Sequence, residues 1–266
     1  MIPHDTIDKL ESIFTSLIAL GEQLNEEQWK TPTQLPGWTV QDNLSHMIGT
    51  ERVMEGLPAT EHRSGDHDWV KNPIGASNEN EVDARRSLPG ADVLAEWKDL
   101  VARRLATLRS ADDAYYDIEM MNPTGPGTRA DFLHVRVLDC WMHEQDMRRT
   151  LGLPGHRSGP AAEHTIDRLI RTIPIVVGKR ARTPEGGTVV IEVTGDVSRR
   201  VVTTVVDGRA QMGVDGNVLA TVRMDSDTFL QLAGGRATHV DTAGRWSVEG
   251  DAALGEAVVA NFNMMI

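Results

Sequence analysis

The chain changes its hydrophobic period once, at Thr183-Pro184-Glu185-Gly186-Gly187, and that change restricts the folds open to it. Before it, apolar residues recur at helical spacing; after it, short β-branched runs alternate with turn residues. A length of 266 residues suffices for two modest domains with a core each. The expected architecture is α followed by α+β: a helical bundle over 1–182 and a small α+β domain over 183–266.

Leu10, Ile13, Phe14, Leu17, Ile18 and Leu24 mark one face of a first helix over about 5–29. Leu35-Pro36-Gly37-Trp38 is a turn signal, and Thr39 with Asp42 suits a capping box that opens a helix running to about residue 57. Residues 58–80 read as a long polar loop carrying His62, His67, Trp69 and Asn72. Loops of that length are uncommon in compact domains and often functional. A helical stretch around 82–86 breaks at Pro89-Gly90 and resumes to about Ser110. Pro123, Gly125, Pro126 and Gly127 mark another loop, and the helix after it stops at Gly152-Leu153-Pro154-Gly155. A fifth helix is expected around 161–177.

Beyond the switch, 188–193, 200–206 and 219–224 read as strands, with Asp207-Gly208 as a hairpin turn. A short helix at 227–232, a strand near 246–249 and a terminal helix from Ala252 complete the pattern.

The formal net charge of -12 argues against nucleic acid and against a polybasic membrane-surface role. Cys140 is the single cysteine, so an intrachain disulfide is impossible and a reducing cytoplasm is the natural setting. The Met1-Ile2-Pro3-His4-Asp5 start lacks a basic n-region, and no apolar run approaches the roughly 20 residues of a membrane helix. The expectation is a cytoplasmic protein with a small-molecule substrate, monomeric or homodimeric.

Asp139-Cys140-Trp141-Met142-His143 places a carboxylate and an imidazole one helical turn apart on one face. That pair is half of a divalent metal site; a structural hydrogen bond is the plain alternative. Arg136, Asp139, His143 and Asp146 share an arc with apolar neighbours, while His134, Glu144, Gln145 and Arg148 gather on what reads as the wet face. An inward carboxylate costs several kcal/mol, on the order of the burial penalty for an uncompensated charge, unless paired or metal-bound. His46, at the edge of the apolar arc of its own helix, supplies a third donor of suitable type, or else is a satisfied core histidine. Three protein donors with a fourth position open is the pattern of a catalytic zinc site.

Leu35-Pro36-Gly37-Trp38-Thr39-Val40 with Asn43-Leu44-Ser45-His46, and the later run from Arg136 to Arg149, resemble the two motifs of the DinB-like mycothiol-dependent maleylpyruvate isomerase family. Val70-Lys71-Asn72-Pro73-Ile74-Gly75 and Arg103-Arg104-Leu105 resemble the family's connecting segments. The tail from Met224 through Arg236 to Gly250-Asp251 resembles its sterol-carrier-like C-terminal domain. The resemblance implies a DinB-like four-helix bundle holding a divalent metal, zinc by expectation, on His46, Asp139 and His143, with mycothiol as thiol cosubstrate. The family prototype has Glu, and many other bundle members His, where this chain has Asp139. The activity implied is isomerase or S-transferase; a non-catalytic binding protein for an apolar ligand is the alternative.

Among the remaining residues, Asp146 is either an orienting partner of a ligand histidine or half of a salt bridge with Arg149 or Arg136. Arg136 either compensates charge at the site, binds a substrate carboxylate or makes a structural ion pair. Cys140 reads as a buried packing residue. Arg236, after Gly234-Gly235 at a helix end, is the catalytic candidate for a substrate carboxylate; a helix cap is its structural reading.

Overall fold

The computed structural model describes residues 1–123 and 125–264. In chain order the first part contains α1 (His4–Gly21), α2 (Glu26–Trp29), α3 (Val40–Met54), α4 (Pro73–Asp83), α5 (Gly90–Ser110), α6 (Asp113–Tyr116), β1 (Glu119–Asn122), β2 (Gly125–Thr128) and α7 (Arg129–Leu151). Then follow α8 (Pro160–Ile170), a π-helical turn (Ile175–Arg180), β3 (Gly187–Thr194), β4 (Arg199–Val206), β5 (Arg209–Met212), β6 (Asn217–Asp225), α9 (Ser226–Ala233), β7 (Trp246–Gly250) and α10 (Ala252–Ala260).

The chain forms two compact units, Met1–His156 and Arg157–Ile266. The sequence reading places the division at residue 183, where helix gives way to strand. In the structure α8 packs against α9, and the π-helical turn against β5 and α10, so these helical segments cluster with the sheet. Secondary-structure type and compactness change at different points of the chain.

In the first unit α1 and α3 each pack against both α5 and α7, which closes a four-helix bundle. The 3.6-residue stripe of α1 buries Ile7, Leu10, Ile13, Phe14 and Leu17. Phe14 meets Trp97 of α5 edge-to-face with centroids 5.1 Å apart. Such fully buried side chains stabilise the fold by about 1.5–3 kcal/mol each.

Two expected loops are partly structured. The segment read as 58–80 ends at Asn72, whose side chain accepts from the Gly75 N–H and caps α4, with Pro73 at its first position. The Pro- and Gly-rich stretch after residue 118 is an antiparallel hairpin of β1 and β2, with Glu119 opposite Thr128. Position 124 lies outside the described residues.

The second unit is α+β, built on a five-stranded sheet in the order β5-β4-β3-β6-β7. The β3–β6 pair is parallel and the others are antiparallel. Central β3 carries the buried run Val189, Val190 and Ile191, as a strand covered on both faces should. Asp207 and Gly208 both have positive φ, 52° and 71°, the geometry of a tight β4–β5 hairpin. Among the described residues no helix is long and apolar enough to cross a membrane.

Candidate metal centre

The centre stands on two helices whose starts are set by the same local device. Thr39 accepts from the Asp42 N–H while Asp42 Oδ2 accepts from the Thr39 N–H at 2.8 Å, so α3 begins at Val40. Thr128 and Asp131 repeat this box at the start of α7. Gly152, at φ 64°, ends α7 in the left-handed conformation that a side chain resists. With those registers, Asn43 and His46 lie buried on α3 and Asp139 and His143 are one turn apart on α7.

His46 Nε2 lies 3.2 Å from Asp139 Oδ2, and His143 Nε2 lies 3.6 Å from Asp139 Oδ1. One donor atom from each of the three residues falls within 4.8 Å of the others, the one such cluster among the described residues. The two imidazoles are 4.9 Å apart, centroid to centroid, and Trp38 walls both, at 5.3 Å from His46 and 5.8 Å from His143. Trp38 is held by its indole N–H, which donates to Glu79 at 2.9 Å; Trp69 donates to the same oxygen at 3.2 Å.

Burial pushes the His46 imidazole below its ordinary pKa, against the opposing pull of Asp139. Burial alone would raise the Asp139 carboxyl, but the Arg136 guanidinium and then the two histidines hold it well below the usual carboxylate range. The centre therefore offers a carboxylate and a neutral His46 at neutral pH. Burial drives the Cys140 thiol well above its ordinary value, which makes it a packing residue and not a nucleophile.

These residues fit a divalent ion. Two imidazole nitrogens and a carboxylate oxygen form the two-histidine, one-carboxylate set of open zinc sites. His143 Nδ1 donates to Asn43 Oδ1 at 2.7 Å, the hydrogen bond on the far nitrogen that metal-ligating histidines use. His46 differs, because its Nδ1 is buried with no hydrogen-bond partner among the described residues.

The structure brings His46, Asp139 and His143 together as anticipated and changes the picture around them. Glu144 and Gln145 are buried, so the face of α7 read as wet is not. Glu144 Oε1 accepts from Ser16 of α1 at 2.6 Å and from Arg148 at 2.8 Å, while His156 Nδ1 meets Oε2 at 2.8 Å. Arg148 thus lies over Glu144, and α7 is covered on both flanks. Asp146 Oδ2 lies 3.6 Å from His143 Nδ1 and Oδ1 lies 3.4 Å from Arg149, so both anticipated partners flank it. His62 pairs with Asp83 at 2.6 Å, and His67 stacks on Trp69. Arg236 belongs to the second unit, where its Nη1 donates to Gly234 O at 2.7 Å and it lines a cavity of about 490 Å³ with His239 and Asn263. Asn43 as orienting group and Glu51 as the partner of Arg136 were missed. Asn43 had a local signal, its position one turn before His46; Glu51 had none.

The family model for the mycothiol maleylpyruvate isomerase N-terminal domain matches residues 10–148. The chain belongs to that family. Two uncharacterized proteins of Mycobacterium tuberculosis, one from each of two strains, are 25% identical to it over 155 residues, which is 57% of this chain and 58% of each relative. The chain thus spans less than two thirds of the length of those relatives. A crystal structure of the mycothiol-dependent maleylpyruvate isomerase aligns over 92% of both chains with TM-score 0.55 and 15% identity. A second, of a histidine-to-alanine mutant of that isomerase, aligns over 88% of this chain and 89% of its own with TM-score 0.55 and 16% identity. At such identity the likeness is one of fold.

Proposed function

We propose that the chain is a metal-dependent enzyme that uses a low-molecular-weight thiol, mycothiol, on a small electrophilic substrate. Its reaction is either isomerisation of the maleylpyruvate isomerase type or thiol S-transfer. The observation that carries this reading is the convergence of His46, Asp139 and His143 within 4.8 Å inside the bundle. Family membership supports the choice of thiol.

A divalent ion held there, zinc by the character of the donors, supplies the Lewis acidity that keeps a thiol sulfur deprotonated at neutral pH. His46 and His143 contribute ring nitrogens, and Asp139 contributes the anionic oxygen. Asn43 fixes the tautomer of His143, leaving its Nε2 free to donate a lone pair. Trp38 covers one side of both rings and keeps water from them. Arg236 is proposed as the catalytic residue that binds a substrate carboxylate, for which its planar fork is suited.

The deciding experiment is metal analysis of the purified protein and of His46→Ala, followed by thermal shift with mycothiol. About one equivalent of metal in the wild type, its loss in the variant, and a higher melting temperature with mycothiol are expected. Absence of stoichiometric metal in the wild type overturns the reading. Metal without a mycothiol shift overturns the choice of thiol. A second reading is carriage of an apolar ligand in the second unit, where Leu232, Val259 and Ala260 line part of a cavity that Arg236, His239, Asp241 and Asn263 also line. Metal-dependent turnover with any thiol and electrophile would exclude a pure carrier.

A further inference from the structure

Behind Asp139 runs a row of buried ion pairs that the proposed chemistry does not use. Arg136 Nη1 bonds Asp139 Oδ2, and Arg136 Nε donates to Glu51 Oε1 at 2.8 Å. Arg104 Nε donates to Glu51 Oε2 at 2.9 Å, and its Nη1 to Glu55 Oε1 at 3.0 Å. Thr107 and the Tyr115 hydroxyl complete the far end, at 2.9 Å from Glu55 and 2.8 Å from Arg104. The charges alternate along three helices, with Glu51 and Glu55 beside α3's last turns, Arg104 on α5 and Arg136 on α7. Glu51, Glu55, Arg104 and Arg136 have side chains at most 3% exposed, whereas that of Asp139 is 22% exposed. The row therefore surfaces at the candidate metal centre.

Stability does not account for such a row, since buried ion pairs are often replaceable by apolar side chains without loss. Its geometry does more than neutralise. Arg136 is engaged on Nε, Nη1 and Nη2, the last 3.1 Å from Cys140 Sγ, so its planar fork is fixed on three sides. Asp139 Oδ2 thus lies between this fixed guanidinium and His46 Nε2, 3.2 Å away, while Oδ1 is on the His143 side.

We propose that Arg136 is a positioning residue that turns Asp139 into a single-oxygen, charge-compensated metal ligand. The inference rests on the metal centre proposed above. Two metal-bound imidazoles add no charge. The carboxylates of Asp139, Glu51 and Glu55 are balanced by the guanidinium groups of Arg136, Arg104 and, 3.7 Å from Glu55, Arg103, so the donor set approaches the charge of three histidines. A divalent ion in such a set keeps its full charge toward the open position, which selects an anionic ligand there, a thiolate or a carboxylate.

The test uses the full chain loaded with cobalt(II) and titrated with azide as the anion. Arg136→Met combined with Glu51→Gln frees Asp139 without stranding a charged Glu51, and Arg104 keeps Glu55 as its carboxylate partner. We expect cobalt to bind stoichiometrically in this variant with weaker visible absorption, as the freed carboxylate chelates through both oxygens. Azide affinity should fall about ten- to a hundredfold, the range for outer-sphere partners of metal ligands. Arg136→Lys, which keeps the charge and loses the fork, should recover azide affinity and not the spectrum. A variant with reduced melting temperature but wild-type spectrum and azide affinity overturns the inference and leaves the metal centre standing. A wild-type protein that takes up no cobalt overturns both.

Discussion

His143 donates its Nδ1–H to Asn43 Oδ1 across 2.7 Å, and this contact joins α7 to α3 at the candidate centre. An amide oxygen can only accept, so Nδ1 carries a proton and Nε2 is the nitrogen turned toward Asp139, 3.6 Å from its Oδ1. The Asn43 amide is itself oriented, because its Nδ2 donates to Thr39 O at 2.9 Å.

Asn43→Ala keeps all three donors and removes the hydrogen bond to His143 together with the amide's anchor on Thr39 O. Metal affinity should fall about ten- to a hundredfold. Competition with a chelator of known affinity measures it, and an unchanged affinity would show that α7 alone positions the ring.

The metal-free protein should lose stability on acidification in two stages. Burial lowers the His46 pKa from 6.5, so its contribution is complete above pH 6.5 and is lost as pH falls through the lowered folded value. Asp139, held well below 3.8 despite burial by Arg136 and the histidines, contributes above that pH and loses its contribution only in stronger acid. Melting temperature against pH, compared with His46→Gln, checks the first stage; the variant should be flatter just below pH 6.5.

Arg104→Met should destabilise the bundle strongly. Arg104 is fully buried and pairs with both Glu51 and Glu55, so truncation leaves Glu51 with Arg136 alone and takes from Glu55 its buried guanidinium partner. A loss of about 3–5 kcal/mol is expected from breaking a buried pair on one side. Urea denaturation reads it, and a loss below about 1 kcal/mol, the scale of an exposed pair, would mean that water reaches the glutamates.

Gly37→Ala should disturb the Trp38 wall without touching a donor. Gly37 sits at φ 75°, and an added Cβ would lie 2.4 Å from the Trp69 ring. The combination of strained backbone and overpacking should cost about 1–3 kcal/mol. Trp69 should shift from Glu79, visible as altered tryptophan fluorescence; an unaltered spectrum and stability would refute the close packing.

Much of the fold was legible because its signals are local. The Thr39–Asp42 box, the Gly152 stop and the Asp207-Gly208 turn each depend on a few adjacent residues and stand where the sequence places them. The α4 helix reads as loop in the sequence because it is polar and weakly patterned, although Asn72-Pro73 is a usable start signal. The β1–β2 hairpin was hidden by prolines and glycines that punctuate strands as readily as loops. Glu144 was assigned to solvent because charge on a helix face reads as exposure. Arg148, one turn on, and His156 share its carboxylate with Ser16, which stands 128 positions away where no periodicity reports it.

The amino-acid chain carries the identity of the donors, the one-turn spacing of Asp139 and His143 and the registers of the helices bearing them. Whether those donors come together was decided by packing: His46 stands 93 positions from Asp139 and reaches it at 3.2 Å because α3 lies against α7. The same packing placed Arg136 on Glu51 and joined Asp139 to a row of charges across three helices. Helical spacing orders residues along one axis, whereas the distance between axes follows from how whole side-chain surfaces fit together.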